Sequence, residues 1–300
     1  MIYTLRHRTT YRYGRSVSFA RCSLRLKPAE GEGQSVLASA VTIDPSPARA
    51  VSRRDYFGIE SLAITIAAPH TTFSVEALST VRVERPDPPA PEEGMAWEAV
   101  RDGVVAGRDI SSRAPVHFLY PSDRVPLLRE VTDYARPSFA PGRSAYGAAH
   151  DLMRRIAQDF RFDAKATTVR TPVAEAFAGR AGVCQDFAHV MIAGLRGMGV
   201  PAAYVSGYLR TVPPPGRPRL RGADASHAWV AVWCGEAWHG LDPTNACAVR
   251  DDHIVVARGR DYGDVAPIDG IVSGSGRQRL KVEVDVIPET EMQGDLALVG

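Results

Sequence analysis

The chain has 300 residues, 45% of them hydrophobic, with 36 basic against 34 acidic side chains and a formal net charge of +2. That is enough apolar material for a sizeable core and, at about 150 residues per domain, for two domains. The charge balance argues against general attraction to nucleic acid or to an anionic membrane, and no apolar run approaches the ~18 residues of a membrane span.

The first 85 residues read as β-structure. Tyr3, Leu5, His7, Thr9, Tyr11 and Tyr13 alternate with Thr4, Arg6, Arg8, Thr10 and Arg12, the period of a half-buried strand. Leu62, Ile64 and Ile66 repeat the pattern, as does the run from Phe73 to Val83, where Leu78 breaks it. Turn signals at Pro28 to Gly33, Asp44 to Pro47 and Asp55 to Gly58 separate short strands, so an antiparallel sandwich or barrel-like domain is expected over 1–85. Arg85 to Pro91 carries four prolines in seven residues and reads as a linker.

Helical spacing follows. Pro126 could open a helix burying Leu127, Leu128, Val131 and Tyr134. Ser144 could cap a longer one built on Ala145, Ala148, Ala149, Leu152, Met153, Ile156 and Phe160. Thr171-Pro172 reads as a cap with proline at the first helical position, ending near Gly179. An amphipathic helix from Cys184 would bury Phe187, Ala188, Met191, Leu195 and Met198 and stop at Gly199. Strands are expected over 203–209 and 228–233, separated by a rigid exposed loop from Val212 to Pro218, and again at Leu280, Val282, Val284 and Val286. Residues 86–300 thus read as helices followed by an antiparallel sheet, and the fold class is α+β.

The chemistry starts at Cys184. A thiol opening a helix sits among unpaired N–H groups at the positive end of the helix dipole, which favours the nucleophilic thiolate. His227, in Ser226-His227-Ala228-Trp229, and Asp242, in Leu241-Asp242-Pro243-Thr244-Asn245, lie at the spacing of a strand, a turn and a return strand. Such a hairpin sets them side by side. A thiol, a histidine to take its proton and a carboxylate to orient the histidine make a catalytic triad for acyl transfer through a thioester. The backbone N–H of Cys184 is one donor for the oxyanion; the sequence names no second. Gln185 and Asp186 could assist from the first turn, although Asp186 also suits the dipole with no further role. His189, rotated about 140° from Cys184, reads as packing.

Cys22, Cys234 and Cys247 show neither C-x-x-C spacing nor a base at a recognisable distance, so free thiols, no zinc site and no metal or other cofactor are expected. Met1 to Arg8 has no apolar h-region, which points to a cytoplasmic protein. The Arg53-Arg54, Arg154-Arg155 and Arg217 to Arg221 clusters read as solvated surface.

With these residues in hand, the chain resembles the bacterial transglutaminase-like proteins, a family of papain-like cysteine enzymes. Three blocks carry the likeness: Gly182 to His189 running on to Gly199-Val200-Pro201 and Tyr208; His227-Ala228-Trp229-Val230; and Gly240 to Asn245 with Gly259-Arg260-Asp261-Tyr262 and Asp264-Val265 after it. His7 to Tyr13 and Asp55-Tyr56-Phe57-Gly58 are similar to the family's own β-rich N-terminal domain. The resemblance implies a transglutaminase-like core over 86–300, and it gives Cys184, His227 and Asp242 the roles of nucleophile, base and orienting acid. Two positions depart from the family: Ala231 stands where it often has Glu, and Ile59 where it often has Asn. The implied activity is cleavage of peptide or isopeptide bonds in a peptide or protein substrate. The alternatives are transfer of the acyl group to an amine, as in a protein-glutamine transglutaminase, and a catalytically silent binding module.

Overall fold

The computed structural model describes residues 1–211, 222, 224–274 and 276–291. The expected loop from Val212 to Pro218 and the Arg217 to Arg221 cluster lie outside them. The protein is α+β.

The chain opens with β1 (Ile2–Val17), which buries Tyr3, Leu5, His7 and Thr9 and leaves the alternate positions more open, as a period of two dictates. There follow β2 (Phe19–Leu24), β3 (Gln34–Asp44), β4 (Arg49–Arg54), β5 (Glu60–Ile66) and β6 (His70–Val83). In β6 the irregular Leu78 falls on the solvent side, 45% exposed. β6 pairs antiparallel with β1 and β3, and β5 pairs with β2 and β4. The two sheets close on Ala20, Leu24, Ile64, Ile66, Phe73 and Val75, which makes a sandwich.

No regular structure runs from 84 to 90. The segment is nevertheless pinned: Arg85 donates its N–H to Asp251 Oδ1 (2.9 Å) and its guanidinium to the carbonyls of Arg250 (2.8 Å) and His253 (2.6 Å).

The helical part comprises α1 (Trp97–Ala106), α2 (Arg129–Ala135), α3 (Ala145–Asp159), α4 (Val173–Gly179) and α5 (Cys184–Gly197). Helix α2 begins three residues later than Pro126 suggests, because Leu128 is still extended; Leu127 is left 48% exposed. Helix α3 starts as expected, with Ser144 Oγ accepting the Gly147 N–H at 3.0 Å. In α4 the cap is Pro172 itself. A short parallel pair, β7 (Arg161–Phe162) with β8 (Ala181–Gly182), leads into α5.

Helix α5 is enclosed rather than amphipathic. Every residue from Gln185 to Arg196 is buried, because α2, α3 and α4 pack around it and a further, five-stranded sheet covers the remainder. That sheet is antiparallel, in the order β12 (Cys247–Ala248), β11 (Trp238–Asp242), β10 (Ala225–Trp233), β9 (Ala202–Leu209), β13 (His253–Gly259). At the far end of α5, Arg196 is 3% exposed and donates to the carbonyls of Phe118 (3.0 Å), Ala202 (2.9 Å) and Arg260 (2.6 Å). Gly199, at φ 82°, turns the chain out of the helix.

After α6 (Tyr262–Val265) come β14 (Ile268–Ser273) and β15 (Gln278–Pro288). The strand of Leu280, Val282, Val284 and Val286 was expected in the catalytic core. Instead β15 pairs with β1, and β14 with β2, so both complete the N-terminal sandwich. Alternation marks a strand without naming its sheet, and β1 had a free edge to fill. Tyr3, Leu5, Val284 and Val286 join one cluster with Phe187, Met191 and Val230, so a single core runs through both halves. No helix among the described residues is long and apolar enough to cross a membrane.

Candidate active site

Cys184 is the first residue of α5 and is half-buried. Asp186 folds back to accept the Val183 N–H (2.8 Å) and the Thr167 hydroxyl (2.6 Å), so it caps the helix. Gly182 makes that possible, since a Cβ there would lie 2.5 Å from the carboxylate. The N–H groups of Cys184 and Gln185 have no acceptor among the described residues, as a first helical turn requires.

Strands β10 and β11 form the expected hairpin, with Val230 opposite Leu241 and Trp233 opposite Trp238. Extended along that register, His227 and Asp242 are diagonal neighbours on one face, and their Nε2 and Oδ2 atoms are 2.7 Å apart. Asp242 is fully buried. Its Oδ1 accepts the N–H groups of Thr244 (2.9 Å) and Asn245 (3.2 Å), and its Oδ2 accepts the Asn245 amide at 2.7 Å. Burial favours the neutral acid, but the donors from His227, His253 and Asn245 outweigh it and hold the carboxyl below its ordinary range.

Burial also opposes protonation of His227, yet hydrogen bonds to Asp242 and Cys184 overcome it and raise the pKa to about 9. The Cys184 thiol is thus a near neighbour of the imidazole. Since Nε2 faces Asp242, Nδ1 is the nitrogen left for sulfur. Gly207 stands opposite His227 on β9. A Cβ there would come within 2.1 Å of the Ile254 carbonyl and 2.4 Å of the Trp229 ring, so only glycine lets the indole cross the strand.

The sequence reading missed His253, the first residue of β13. It is 1% exposed, with Nδ1 2.7 Å from Asp252 Oδ1 and Nε2 3.3 Å from Asp242 Oδ2. Its ring meets Trp229 edge-on at 5.2 Å. Burial again opposes protonation; the two carboxylates and Cys247 prevail and lift the pKa to about 10. Only the Asp252-His253 doublet before a strand hinted at this, and no spacing tied it to Asp242. The nearest ligand atoms of His227, Asp242 and His253 lie within 4.8 Å of one another. Both rings aim Nε2 at the same carboxylate oxygen, so hydrogen bonding accounts for the cluster.

His189, Cys234 and Ala231 are packed away from solvent to different degrees. His189 is buried and accepts the Tyr262 N–H at 3.2 Å, and burial lowers its pKa to about 3. Burial pushes the Cys234 thiol up to about 12. Ala231, at the family's Glu position, packs with Phe118, Ala203 and Trp229. A cleft of about 600 Å³ adjoins the start of α5, lined by Gln185, Arg124, Arg170, Pro172 and Arg260.

Known proteins resemble this chain in sequence and in fold. The sequence profile of the bacterial transglutaminase-like N-terminal region matches residues 3–82, and that of the transglutaminase-like superfamily matches 132–243. An uncharacterized protein of Mycobacterium tuberculosis is 40% identical over 95% of this chain and 92% of its own length. A protein-glutamine gamma-glutamyltransferase of Pseudomonas aeruginosa is 32% identical over 34% of this chain and 17% of its own. Among solved structures, that of a candidate cysteine protease from Cytophaga hutchinsonii superposes with a TM-score of 0.74 at 20% identity, over 96% of this chain and 91% of that one.

Proposed function

The chain belongs to the bacterial transglutaminase-like family, and from that premise we propose that it is a cysteine-dependent acyl-transfer enzyme that cleaves peptide or isopeptide bonds. One observation supports this reading: a buried Asp242 carboxylate lies 2.7 Å from the His227 imidazole, and the Cys184 thiol at a helix start acts on the same ring. In that arrangement Cys184 is the nucleophile, His227 the base and Asp242 the group that fixes the ring's tautomer.

The sulfur attacks the substrate carbonyl while the thiol proton resides on His227. The oxyanion is met by the free N–H groups of Cys184 and Gln185. His227 returns its proton to the departing amine as the C–N bond breaks, leaving a thioester. Water, deprotonated by His227, then attacks the thioester, releasing the carboxylic acid and restoring the thiol. The cleft beside Gln185 is large enough for a peptide segment. Hydrolysis is preferred because water needs no dedicated subsite. The partial likeness to a glutamyltransferase favours a second reading, in which an amine resolves the same thioester. The four free thiols suit a cytoplasmic setting.

The test is incubation of the protein and Cys184→Ala with a peptide library, with and without a primary amine, read by mass spectrometry. Cleavage dependent on Cys184 is expected. Amine adducts in place of cleavage would overturn the hydrolase assignment, and no Cys184-dependent product of either kind would overturn the acyl-transfer assignment.

A further inference from the structure

We propose that His253 is a positioning residue of this site, an imidazolium that shares the Asp242 carboxylate with His227 and so limits how firmly His227 keeps its proton. The inference deepens the acyl-transfer reading and rests on it for its catalytic consequence.

Asp242 Oδ2 serves three donors: His227 Nε2 at 2.7 Å, Asn245 Nδ2 at 2.7 Å and His253 Nε2 at 3.3 Å. The far side of His253 is held by Asp252 Oδ1 at 2.7 Å, so both ring nitrogens face carboxylates and both carry protons. Among the described residues, its charged and titratable neighbours are these. Asp242 approaches from β11, Asp252 from the preceding turn and Cys247 from β12. His227 approaches from β10, ring centroids 6.3 Å apart, and Arg85 donates to the His253 carbonyl at 2.6 Å. The positive rings are thus two, with one buried carboxylate between them.

A carboxylate answering to His227 alone would hold the His227 proton too well. The leaving amine needs that proton back, and general acid catalysis is most effective when the pKa is near the working pH. The second cation takes part of the negative field and lowers the pKa that His227 would otherwise have. It does so from a ring that is 1% exposed, which the Asp252 contact fixes in place. The arrangement is therefore a four-membered line of alternating charge, Asp252–His253–Asp242–His227, ending at the thiol.

NMR titration of protein labelled with ¹⁵N-histidine tests this. In the unsubstituted protein at pH 7.5, both ring nitrogens of His253 are expected to carry protons; a neutral His253 there overturns the proposal without any variant. In His253→Gln, which keeps a donor but no charge, the His227 midpoint is expected to rise by about one pH unit. A midpoint that stays within about 0.3 unit, or falls, overturns it as well. Iodoacetamide alkylation of Cys184, run in parallel, separates the two claims. If Cys184 lacks pH-dependent reactivity while the His227 midpoint moves, the acyl-transfer reading fails and the positioning stands. If Cys184 reacts and the midpoint is fixed, only the positioning fails.

Discussion

His227 and Asp242 meet at 2.7 Å on a diagonal of the β10–β11 hairpin, one ring edge against a carboxylate with no exposed surface. That contact makes the imidazole more basic than free histidine, against the pull of burial.

Replacing Asp242 with Asn is expected to undo this. The ring loses its counter-charge, its pKa falls from about 9 toward or below the ordinary 6.5, and the tautomer is no longer fixed. Turnover on any peptide that the library identifies should drop roughly 10²–10⁴-fold. Alkylation of Cys184 followed against pH checks the first part; an unaltered profile contradicts it.

Asp186→Ala removes the acceptor for the Val183 N–H and the Thr167 hydroxyl. A lost helix cap costs about 1 kcal/mol, to be read from urea unfolding. Asp186→Asn, which keeps an oxygen at the same place, should recover most of it. Equal losses in the two variants would mean that charge, not hydrogen bonding, holds this turn.

Arg196→Met strips the donors from the carbonyls of Phe118, Ala202 and Arg260 in a buried place. A loss of about 3–5 kcal/mol is expected, seen as a lower Tm in calorimetry. Arg196→Lys should recover little, because one ammonium cannot span the positions that a guanidinium fork reaches.

Stability should peak near pH 6.5. His7 and His189 are buried with pKa values lowered to about 4 and 3, so the unfolded chain binds more protons there and stability falls as pH drops below 6.5. His227 and His253, raised to about 9 and 10, act oppositely: their contribution is complete below 6.5 and is lost as pH rises toward those values. Each group has a limiting slope of about 1.4 kcal/mol per pH unit. Asp242 adds to the acid loss only below the ordinary carboxylate range. Unfolding free energies measured from pH 4 to 10 would refute this if they rose steadily in either direction.

Local periodicity made β1, β6, α3 and the start of α5 legible, because each buries one face or needs one cap that neighbouring residues supply. Cys184, His227 and Asp242 could be related because a helix start and a hairpin are short-range structures whose geometry follows from spacing. His253 could not be, since it reaches Asp242 from a strand on the far side of β9, through the course of the whole sheet. The same limit hid the pairing of β14 and β15 with the first sheets. The enclosure of α5 was equally hidden, because Gln185, Asp186, His189 and Arg196 read as a polar face and only the surrounding elements show that they too are buried.

The pairing of β15 with β1 has a consequence for how the protein is made. β1 leaves the ribosome early, yet eleven of its residues, Tyr3 to Tyr13, wait for partners between Gln278 and Pro288. Contacts so distant along the chain form slowly and late. The same late strand touches β10, which carries His227, and bridges Asp224 through Val284. A nascent chain lacking it holds Cys184 on an unfinished frame, so activity should switch on only once β15 is in place. Arrested nascent chains ending before and after residue 288 would show this as a step in Cys184 alkylation rather than a gradual rise.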